Sequence, residues 1–273
     1  EAYLEANGMG NGIANDDSVL TSNINNVSSL DVSNQNIAYL TGIEDFIALT
    51  TLYCDDNQLT SLDVSNNTAL TYLYCSANQL TSLDVSNNTA LTELSCSENQ
   101  LTSIDVSLNT ALTTLYCNYN QLTSIDVSLN TALIQLTCSE NQLTSLDVSL
   151  NTALKLLYCN DNQLTSLDVR NGNNTNFFFD VDPEFFTNAN PNLYCIDVDD
   201  AAWSTANWTV ANGNIDPQQY FSNNCSGTSI QEHFTNKELL KVTDLLGREI
   251  KGTNQPLLYL YDDGTVEKRI VIE

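Results

Sequence analysis

Cysteine is the side chain of this sequence whose type and spacing most invite chemistry. Six of the eight cysteines recur every 21 residues, at Cys54, Cys75, Cys96, Cys117, Cys138 and Cys159. Thiolates bind zinc when four ligands converge, and two thiols form a disulfide when their Cβ atoms point toward each other. A row of equivalent thiols about 4.8 Å apart, the spacing of neighbouring strands, meets neither condition. We therefore interpret the row as small, buried, apolar side chains.

The cysteines belong to a longer repeat, whose copies begin at Leu49, Leu70, Leu91, Leu112, Leu133 and Leu154. In the first copy Leu52-Tyr53-Cys54 alternates as a strand does, and Asn57 follows three residues after the cysteine. The fixed period predicts a solenoid, because one coil cannot bury its apolar face alone.

An asparagine at a fixed place in every coil predicts a second buried row. The row comprises Asn57, Asn78, Asn99, Asn120, Asn141 and Asn162. An inward amide can satisfy backbone groups that lose their sheet partners where the chain turns out of the strand. We expect each asparagine to serve its own coil and the next one.

The repeat matches the leucine-rich pattern L-x-x-L-x-L-x-x-N-x-L, with Cys54 in place of the third leucine. The unit L-x-C-x-x-N-Q-L-T-S-L-D-V-S resembles the cysteine-ladder leucine-rich repeats of the internalin J type and of secreted Bacteroidetes surface proteins, over roughly residues 1–225. The resemblance implies a right-handed coil whose concave parallel sheet faces a partner, and no enzymatic activity. We expect an α/β-type leucine-rich repeat solenoid, mostly β, capped at both ends.

Charge and composition exclude several functions. The net charge is −26, and neither Lys nor Arg occurs before Lys155, which argues against nucleic acid and anionic membranes. The apolar runs are shorter than a transmembrane segment. The single histidine, His233, leaves no Ser-His-Asp or Cys-His arrangement, and neither a zinc cluster nor a phosphate loop is present. We expect a monomeric non-enzyme without a cofactor. Since no signal peptide precedes Glu1, we expect a trimmed start.

Aspartate forms a third periodic row. Ser61-Leu62-Asp63-Val64-Ser65 alternates again, which predicts a second short strand on the convex side of each coil. The row is Asp63, Asp84, Asp105, Asp126, Asp147 and Asp168. Carboxylates about 5 Å apart in water repel by roughly 1 kcal/mol per neighbour. Hydrogen bonds from the neighbouring serines offset this repulsion in our interpretation, and weak calcium binding is the alternative.

Outward positions that vary between coils are the candidate binding residues. They are Tyr53, Tyr72, Tyr74, Glu93, Glu98, Tyr116, Tyr119, Gln135, Glu140 and Tyr158. Tyrosines mixed with carboxylates on one face suit recognition of a protein, since tyrosine supplies contact area at low entropic cost. The alternatives are adhesion to a glycan, ice or a mineral through a row of identical threonines, and a structural spacer. That row comprises Thr60, Thr81, Thr102, Thr123, Thr144 and Thr165.

The rest of the chain divides around the repeats. Residues 1–26 predict an N-terminal cap with a helix ending near Gly8 followed by loop, 27–173 the repeats, and 174–225 an irregular last repeat with a C-terminal cap. Leu193-Tyr194-Cys195 resembles the cysteine-bearing strand. We predict a disulfide between Cys195 and Cys225, the two cysteines outside the row, and hence an oxidising compartment.

Residues 226–273 predict a small all-β domain. Residues 239–250, 256–261 and 266–272 alternate as strands, and Asp262-Asp263-Gly264 is a hairpin signal. Asp244-Leu-Leu-Gly-Arg248 and the terminal Glu267-Lys-Arg-Ile-Val-Ile resemble the C-terminal sorting domain of type IX secretion cargo. That resemblance implies a protein secreted by, or attached to the outer-membrane surface of, a Gram-negative bacterium.

Overall fold

The computed structural model describes residues 2–13, 19–179, 182–183, 185–225, 239–244, 256–261 and 266–270. The chain divides into two compact units, Glu1–Cys225 and Ser226–Glu273, which are described separately. In the first unit successive coils add parallel strands to shared sheets. The predicted solenoid of stacked coils is therefore confirmed.

One strand per coil builds an eight-stranded parallel sheet, here called the long sheet. Its strands are β1 (Ser29–Asp31), β2 (Thr51–Tyr53), β3 (Tyr72–Tyr74), β4 (Glu93–Ser95), β5 (Thr114–Tyr116), β6 (Gln135–Thr137), β8 (Leu156–Tyr158) and β12 (Phe185–Phe186). The register pairs equivalent residues, Leu52 with Leu73 and Leu73 with Leu94. Each coil therefore adds its central leucine to one buried column.

The core is the same set of side chains repeated along the axis. Leu49, Leu52, Cys54, Leu59 and Val64 are each 0% exposed, and so are their equivalents in the next coils. Burying one aliphatic side chain contributes about 1.5–3 kcal/mol, but only the neighbouring coils supply the surface that covers it. Stability therefore comes from stacking rather than from any single coil.

A second parallel sheet forms only toward the C-terminal end of the solenoid. Its strands are β7 (Ser145–Asp147), β9 (Ser166–Asp168), β13 (Cys195–Asp197) and β14 (Tyr220–Ser222). The prediction of such a strand in every coil is wrong for 61–63, 82–84, 103–105 and 124–126. Within the described chain, Val148 N–H donates to Asp168 O at 2.9 Å, but Val64, Val85, Val106 and Val127 make no equivalent bond between coils. Without that bond the extended segments do not pair.

The segment before β1 contains α1 (Ala2–Ala6) and α2 (Thr21–Ile24). The helix predicted before Gly8 is confirmed as α1, whereas the predicted loop over 11–26 contains α2. Ile24 at the end of α2 is fully buried and belongs to the same hydrophobic core as the coils. A 3₁₀ turn, Ile43–Asp45, follows β1.

The last coils depart from the sequence prediction. Between β9 and β12 lie a 3₁₀ turn (Asn174–Asn176) and a two-stranded antiparallel ribbon of β10 (Phe178–Phe179) and β11 (Asp182–Pro183). The long sheet then continues through β12, because Phe185 pairs with Leu157 and Phe186 with Tyr158. Cys195 instead begins β13, where Ile196 pairs with Leu167. The interpretation of Leu193–Cys195 as a cysteine-bearing strand is therefore wrong.

An aromatic cluster closes the C-terminal end of the core. Helix α3 (Ala201–Asn207) begins at Asp200, whose side chain accepts from Trp203 N–H. Trp208 is fully buried and stacks on Phe185 with ring centroids 4.0 Å apart. Trp203 is half-buried and lies edge-on to Trp208 at 5.5 Å.

The second unit contains an antiparallel three-stranded sheet in the order β15 (Leu239–Asp244), β16 (Pro256–Tyr261) and β17 (Val266–Ile270). The three strands lie within the predicted segments, of which 245–250 and 271–272 are outside the described residues. The predicted hairpin turn at Asp262–Gly264 lies outside the described residues.

Candidate functional site

The exposed face of the long sheet carries three outward positions in each coil. In the coil of β2 they are Thr51, Tyr53 and Asp55, which alternate with the buried Leu52 and Cys54. The same three positions recur in every coil, so the exposed face is a grid of side chains with neighbouring rows about 4.8 Å apart.

The structure places the predicted binding residues in two settings. Seven lie on the strands of the exposed face: Tyr53, Tyr72, Tyr74, Glu93, Tyr116, Gln135 and Tyr158. Three lie in the turn that follows each strand: Glu98, Tyr119 and Glu140. The turn residues have φ of 54°, 55° and 53°, a left-handed conformation that favours glycine or asparagine. Their side chains are exposed, so they border the sheet rather than standing on it.

Tyrosines in the first half of the exposed face pack against each other. Tyr53 and Tyr74 stack with ring centroids 4.8 Å apart and an interplanar angle of 15°. Burial, followed by a hydrogen bond to Glu93 and the charge of that carboxylate, raises the pKa of Tyr74. Burial and then Glu93 likewise raise the pKa of Tyr116. These phenols therefore remain neutral hydrogen-bonding groups at physiological pH.

A groove of about 440 Å³ opens in the second half of the exposed face. It is lined by Ser95, Ser97, Tyr116, Asn118, Tyr119, Thr137, Ser139, Tyr158 and Asn160. Of the predicted binding residues, the groove brings together three, Tyr116, Tyr119 and Tyr158. The other seven do not line it.

Sequence reasoning missed the row directly after the cysteines. Ser97, Asn118, Ser139 and Asn160 all belong to it and line the groove. The sequence contained the signal for this row. If the in-out alternation of the strand is extended by one residue past the cysteine, that residue points outward. The predicted binding residues instead included the next residue along the chain, which lies in the turn.

The predicted asparagine row fixes the strands of the exposed face. Asn99 Nδ2 donates to Cys75 O, Cys96 O and Ser97 O at 3.0–3.2 Å, and Asn99 Oδ1 accepts from Leu80 N–H at 2.9 Å. Because Cys75 and Leu80 belong to the preceding coil, the asparagine serves its own coil and the one before it. The structural role is confirmed, but the expected direction toward the next coil is wrong.

A second buried asparagine row was not predicted. It comprises Asn67, Asn88, Asn109, Asn130 and Asn151, each 0% exposed. Asn88 Nδ2 donates to Val64 O and Asn67 O at 2.9 Å, but Asn88 Oδ1 accepts no hydrogen bond from the described residues. The two rows therefore differ in how completely each amide is satisfied.

The six periodic cysteines are free thiols and fully buried, as predicted. Cys54 Sγ donates to Tyr74 O at 3.3 Å, and Cys117 Sγ donates to Thr137 O at 3.3 Å. Burial raises the pKa of all six thiols, that of Cys96 and Cys159 to about 12. All six thiols are therefore protonated in the folded protein.

The aspartate row forms local turns. Asp63 Oδ1 accepts from Ser65 N–H at 3.0 Å, and Asp84, Asp105, Asp126 and Asp147 repeat this bond. Hydrogen bonds from the serine lower the pKa of Asp63, Asp84, Asp105 and Asp126. Among the described residues no group of three or more acidic, cysteine or histidine side chains could hold a metal ion.

The predicted disulfide between Cys195 and Cys225 is present, with the Cα atoms 5.8 Å apart. Cys225 N–H also donates to Asp197 Oδ1 at 2.7 Å. Nearby, Arg170 forms an ion pair with Asp168 and lies 3.6 Å from Asp197. Burial opposes ionisation of Asp168, but its hydrogen bonds with Arg170 prevail and lower its pKa. These contacts link β13 and Cys225 to Arg170, which follows β9.

Comparison with known proteins supports the same fold. A family described as Leucine Rich repeats (2 copies) matches residues 47–88 and 89–130. Internalin C2 from Listeria monocytogenes is similar over 71% of this chain and 83% of its own, with 22% identity and a TM-score of 0.54. The leucine-rich repeat domain of APL1B is similar over 65% of this chain and 58% of its own, with 22% identity and a TM-score of 0.50.

The functional domain of InlJ from Listeria monocytogenes, described as including a cysteine ladder, is 27% identical over 66% of this chain and 61% of its own. Its TM-score of 0.27 is too low to support a structural argument. No curated protein matches the chain.

These findings establish a leucine-rich repeat fold, and the matches indicate no enzyme family. No helix within the described segments is long and apolar enough to cross a membrane.

Proposed function

We propose that this leucine-rich repeat solenoid is a non-enzymatic binding module that engages a protein partner through the exposed face of the long sheet. The observation that carries the proposal is the contrast between positions. Core residues repeat from coil to coil, whereas the residues projecting from the exposed face differ: position 53 and its equivalents are Tyr, Tyr, Ser, Tyr, Thr and Tyr. A surface that varies over a constant scaffold suits one specific partner.

The chemistry of the exposed face favours a partner with basic groups. Glu93 lies on β4, and the exposed Glu98 and Glu140 border the sheet. No Lys or Arg precedes Lys155 in the sequence. Tyrosines supply the contact area, and the carboxylates steer a cationic surface toward it.

The module acts in an oxidising compartment, at a bacterial cell surface or after secretion. The Cys195–Cys225 disulfide supports this location, since disulfides persist outside the reducing cytosol. The sequence of residues 226–273, which resembles a type IX sorting domain, supports export to the outer-membrane surface of a Gram-negative bacterium.

The test compares surface variants that share one coil. The immobilised protein is screened against an array of extracellular proteins, and hits are titrated with Tyr72→Ser/Tyr74→Ser and with Gln79→Ala/Thr81→Ala, whose side chains are exposed outside the long sheet. We expect the tyrosine variant to weaken binding at least about tenfold, as buried interface tyrosines do, and the control to bind normally. If the tyrosine variant binds as tightly as the control and the wild type, with thermal unfolding unchanged, partner binding through the exposed face is refuted.

A second candidate rests on the threonine row. All six residues, Thr60 to Thr165 in steps of 21, are exposed at equivalent positions. Identical polar groups at a regular spacing suit a periodic target such as a polysaccharide, ice or a mineral. Retention on insoluble polysaccharides or inhibition of ice recrystallisation, lost in Thr102→Ala/Thr123→Ala, would favour this candidate. Binding to neither kind of target would leave a structural spacer.

A further inference from the structure

Two tyrosines of the exposed face stand on either side of a gap. Tyr116 is paired in register with Thr137, and Thr137 with Tyr158. The tyrosines are therefore two strand spacings apart, about 9.6 Å, with only a small side chain between them. Earlier in the sheet Tyr53 and Tyr74 occupy adjacent strands and stack at 4.8 Å, which leaves no gap. The groove thus opens where small residues, Ser95 and Thr137, interrupt the tyrosine row, and the gap between Tyr116 and Tyr158 is the part that lies over Thr137.

Both walls of the gap are held in place by neighbours. The hydroxyl of Tyr116 donates to Gln135 Oε1 at 2.6 Å. The ring of Tyr158 contacts that of Phe186 edge-on, with centroids 5.1 Å apart. A ligand that enters the gap therefore meets rings whose positions are already fixed, which lowers the entropic cost of binding.

The floor of the gap offers hydrogen-bonding groups. Thr137 Oγ1 donates to Asn118 Oδ1 at 2.5 Å, and Ser139 Oγ donates to Asn160 Oδ1 at 2.6 Å. Both hydroxyl oxygens keep lone pairs for an incoming donor. Ser97 lines the part of the groove beyond Tyr116, in the coil of β4; it is 7% exposed, and its Oγ has no partner within the described chain. A buried hydroxyl without a partner is costly, so the groove contains an unmet hydrogen bond.

The charges around the gap select against anions. The lining contains neither a carboxylate nor a basic side chain. Glu98 and Glu140, both exposed, flank the groove at adjoining turns. A carboxylate, sulfate or phosphate in the ligand would lack a cationic partner here and would be repelled by the acidic border.

We infer that this groove is a subsite for one neutral hexopyranose ring of a glycan carried by the partner. Such a ring has apolar C–H faces, which suit the two tyrosines, and hydroxyls around its edge, which suit the serine, threonine and asparagine groups. A flat aromatic guest in contact with both walls needs only about 7 Å, twice the carbon–carbon contact distance, whereas a puckered ring with axial hydrogens is thicker. The inference rests on the proposed function in placing recognition on the exposed face.

The experiment titrates the full chain with free sugars. The probes are methyl α- and β-glycosides of glucose, galactose, mannose and N-acetylglucosamine, their disaccharides, and glucuronate as an anionic comparison. Binding is followed by saturation-transfer and amide-shift NMR. We expect roughly millimolar binding of at least one neutral sugar, weak binding being usual for so small a ligand, and no binding of glucuronate.

Three variants locate the sugar. Thr137→Tyr continues the tyrosine row in the arrangement that Tyr53 and Tyr74 already adopt, and fills the gap. We expect it to weaken sugar binding at least about tenfold, while Thr51→Tyr, on the same face outside the groove, leaves binding within about twofold. Ser139→Ala removes a hydroxyl from the floor of the gap, in the same coil as Thr137, and should weaken binding several-fold.

The outcomes separate this inference from the proposed function. Absence of binding by every neutral sugar, equal binding by Thr137→Tyr and wild type, or equal binding of glucuronate would overturn the subsite. A protein partner that depends on Tyr72 and Tyr74 would then still support the proposed function. Sugar binding that Thr137→Tyr abolishes, without any protein partner, would keep the subsite and refute the protein-binding proposal.

Discussion

Asn99 and Asn88 allow one physical argument to be tested within a single protein. Both are buried asparagines in regular coils, so replacing either by alanine removes the same atoms. The two substitutions differ in which backbone groups lose a hydrogen-bond partner. Asn99 Oδ1 is the acceptor for Leu80 N–H, a backbone donor with no other recorded partner in the described chain, whereas Asn88 Oδ1 accepts nothing.

The magnitudes follow from the hydrogen bonds. Asn99→Ala leaves the buried Leu80 N–H without an acceptor, which costs about 1–3 kcal/mol. It also removes the three hydrogen bonds that Nδ2 donates, which together contribute about 1 kcal/mol. The expected loss of unfolding free energy is about 2–4 kcal/mol. Asn88→Ala removes two donations, but Val64 O and Asn67 O each keep a backbone donor, from Asn67 N–H and Leu70 N–H at 3.0 Å. It also removes an unsatisfied oxygen, so the expected loss is about 1 kcal/mol.

The assay is urea unfolding of both variants and wild type, followed by circular dichroism and by tyrosine fluorescence. Coincident transitions and equal m-values are required before the midpoints are converted to free energies, since repeat proteins can unfold in parts. An Asn88→Ala loss equal to or larger than that of Asn99→Ala would refute the argument that an orphaned backbone donor, and not the buried amide itself, determines the cost.

Three further predictions concern the thiols, the disulfide and the turns. Burial raises the pKa of the six thiols, that of Cys96 and Cys159 to about 12. As the pH rises, the thiols of the unfolded chain therefore lose their protons before those of the folded chain. Stability is therefore full below the unfolded thiol pKa of about 8.5 and falls from there toward pH 12, by up to about 1.4 kcal/mol per pH unit for each thiol. Urea midpoints at pH 7, 9 and 10 measure this, and Cys96→Ala should reduce the slope; a midpoint independent of pH would contradict it. Cys195→Ser/Cys225→Ser opens a loop of 30 residues and should cost about 3–4 kcal/mol in the chain-entropy model, measured by thermal unfolding, whereas a loss below 1 kcal/mol would exclude that model. Ala77 has φ of 52°, so Ala77→Gly should raise stability by about 0.5–1 kcal/mol, and the same change at Ala69, whose φ is not positive, should lower it.

The sequence predicts the regular coils well because each core position repeats. Leu52, Cys54 and Asn57 were placed correctly, since period and alternation act within one coil and six copies reinforce the pattern. The second sheet was predicted too widely, because a segment such as Ser61–Asp63 has the right alternation and lacks only the bond to its neighbour. Whether coils approach closely enough for that bond is a property of the whole stack.

The last coil shows why local similarity misleads. Leu193-Tyr194-Cys195 imitates the strand of the regular repeat, yet Phe185 and Phe186 continue the long sheet. The better signal was Asn190, three residues after Thr187 as Asn57 is after Cys54. Asn190 Oδ1 accepts from Leu164 N–H at 3.0 Å, as its equivalents do in earlier coils. The amide was more informative than the thiol because a backbone hydrogen bond depends on it.

The groove was only partly visible in the sequence. Tyr116 and Tyr158 were identified as outward residues. Thr137 between them was interpreted as a change of residue type, and the gap that its small side chain leaves was not predicted. A missing side chain in a stack becomes a cavity only when the strands are in register, and that register is a result of folding.

The register also links the number of repeats to the shape of the exposed face. Deleting one 21-residue unit, residues 133–153, would bring Tyr116 next to Tyr158 and close the groove, while every remaining coil keeps an equivalent neighbour. Loss of one coding repeat would therefore reshape the exposed face in a single step without disturbing the scaffold.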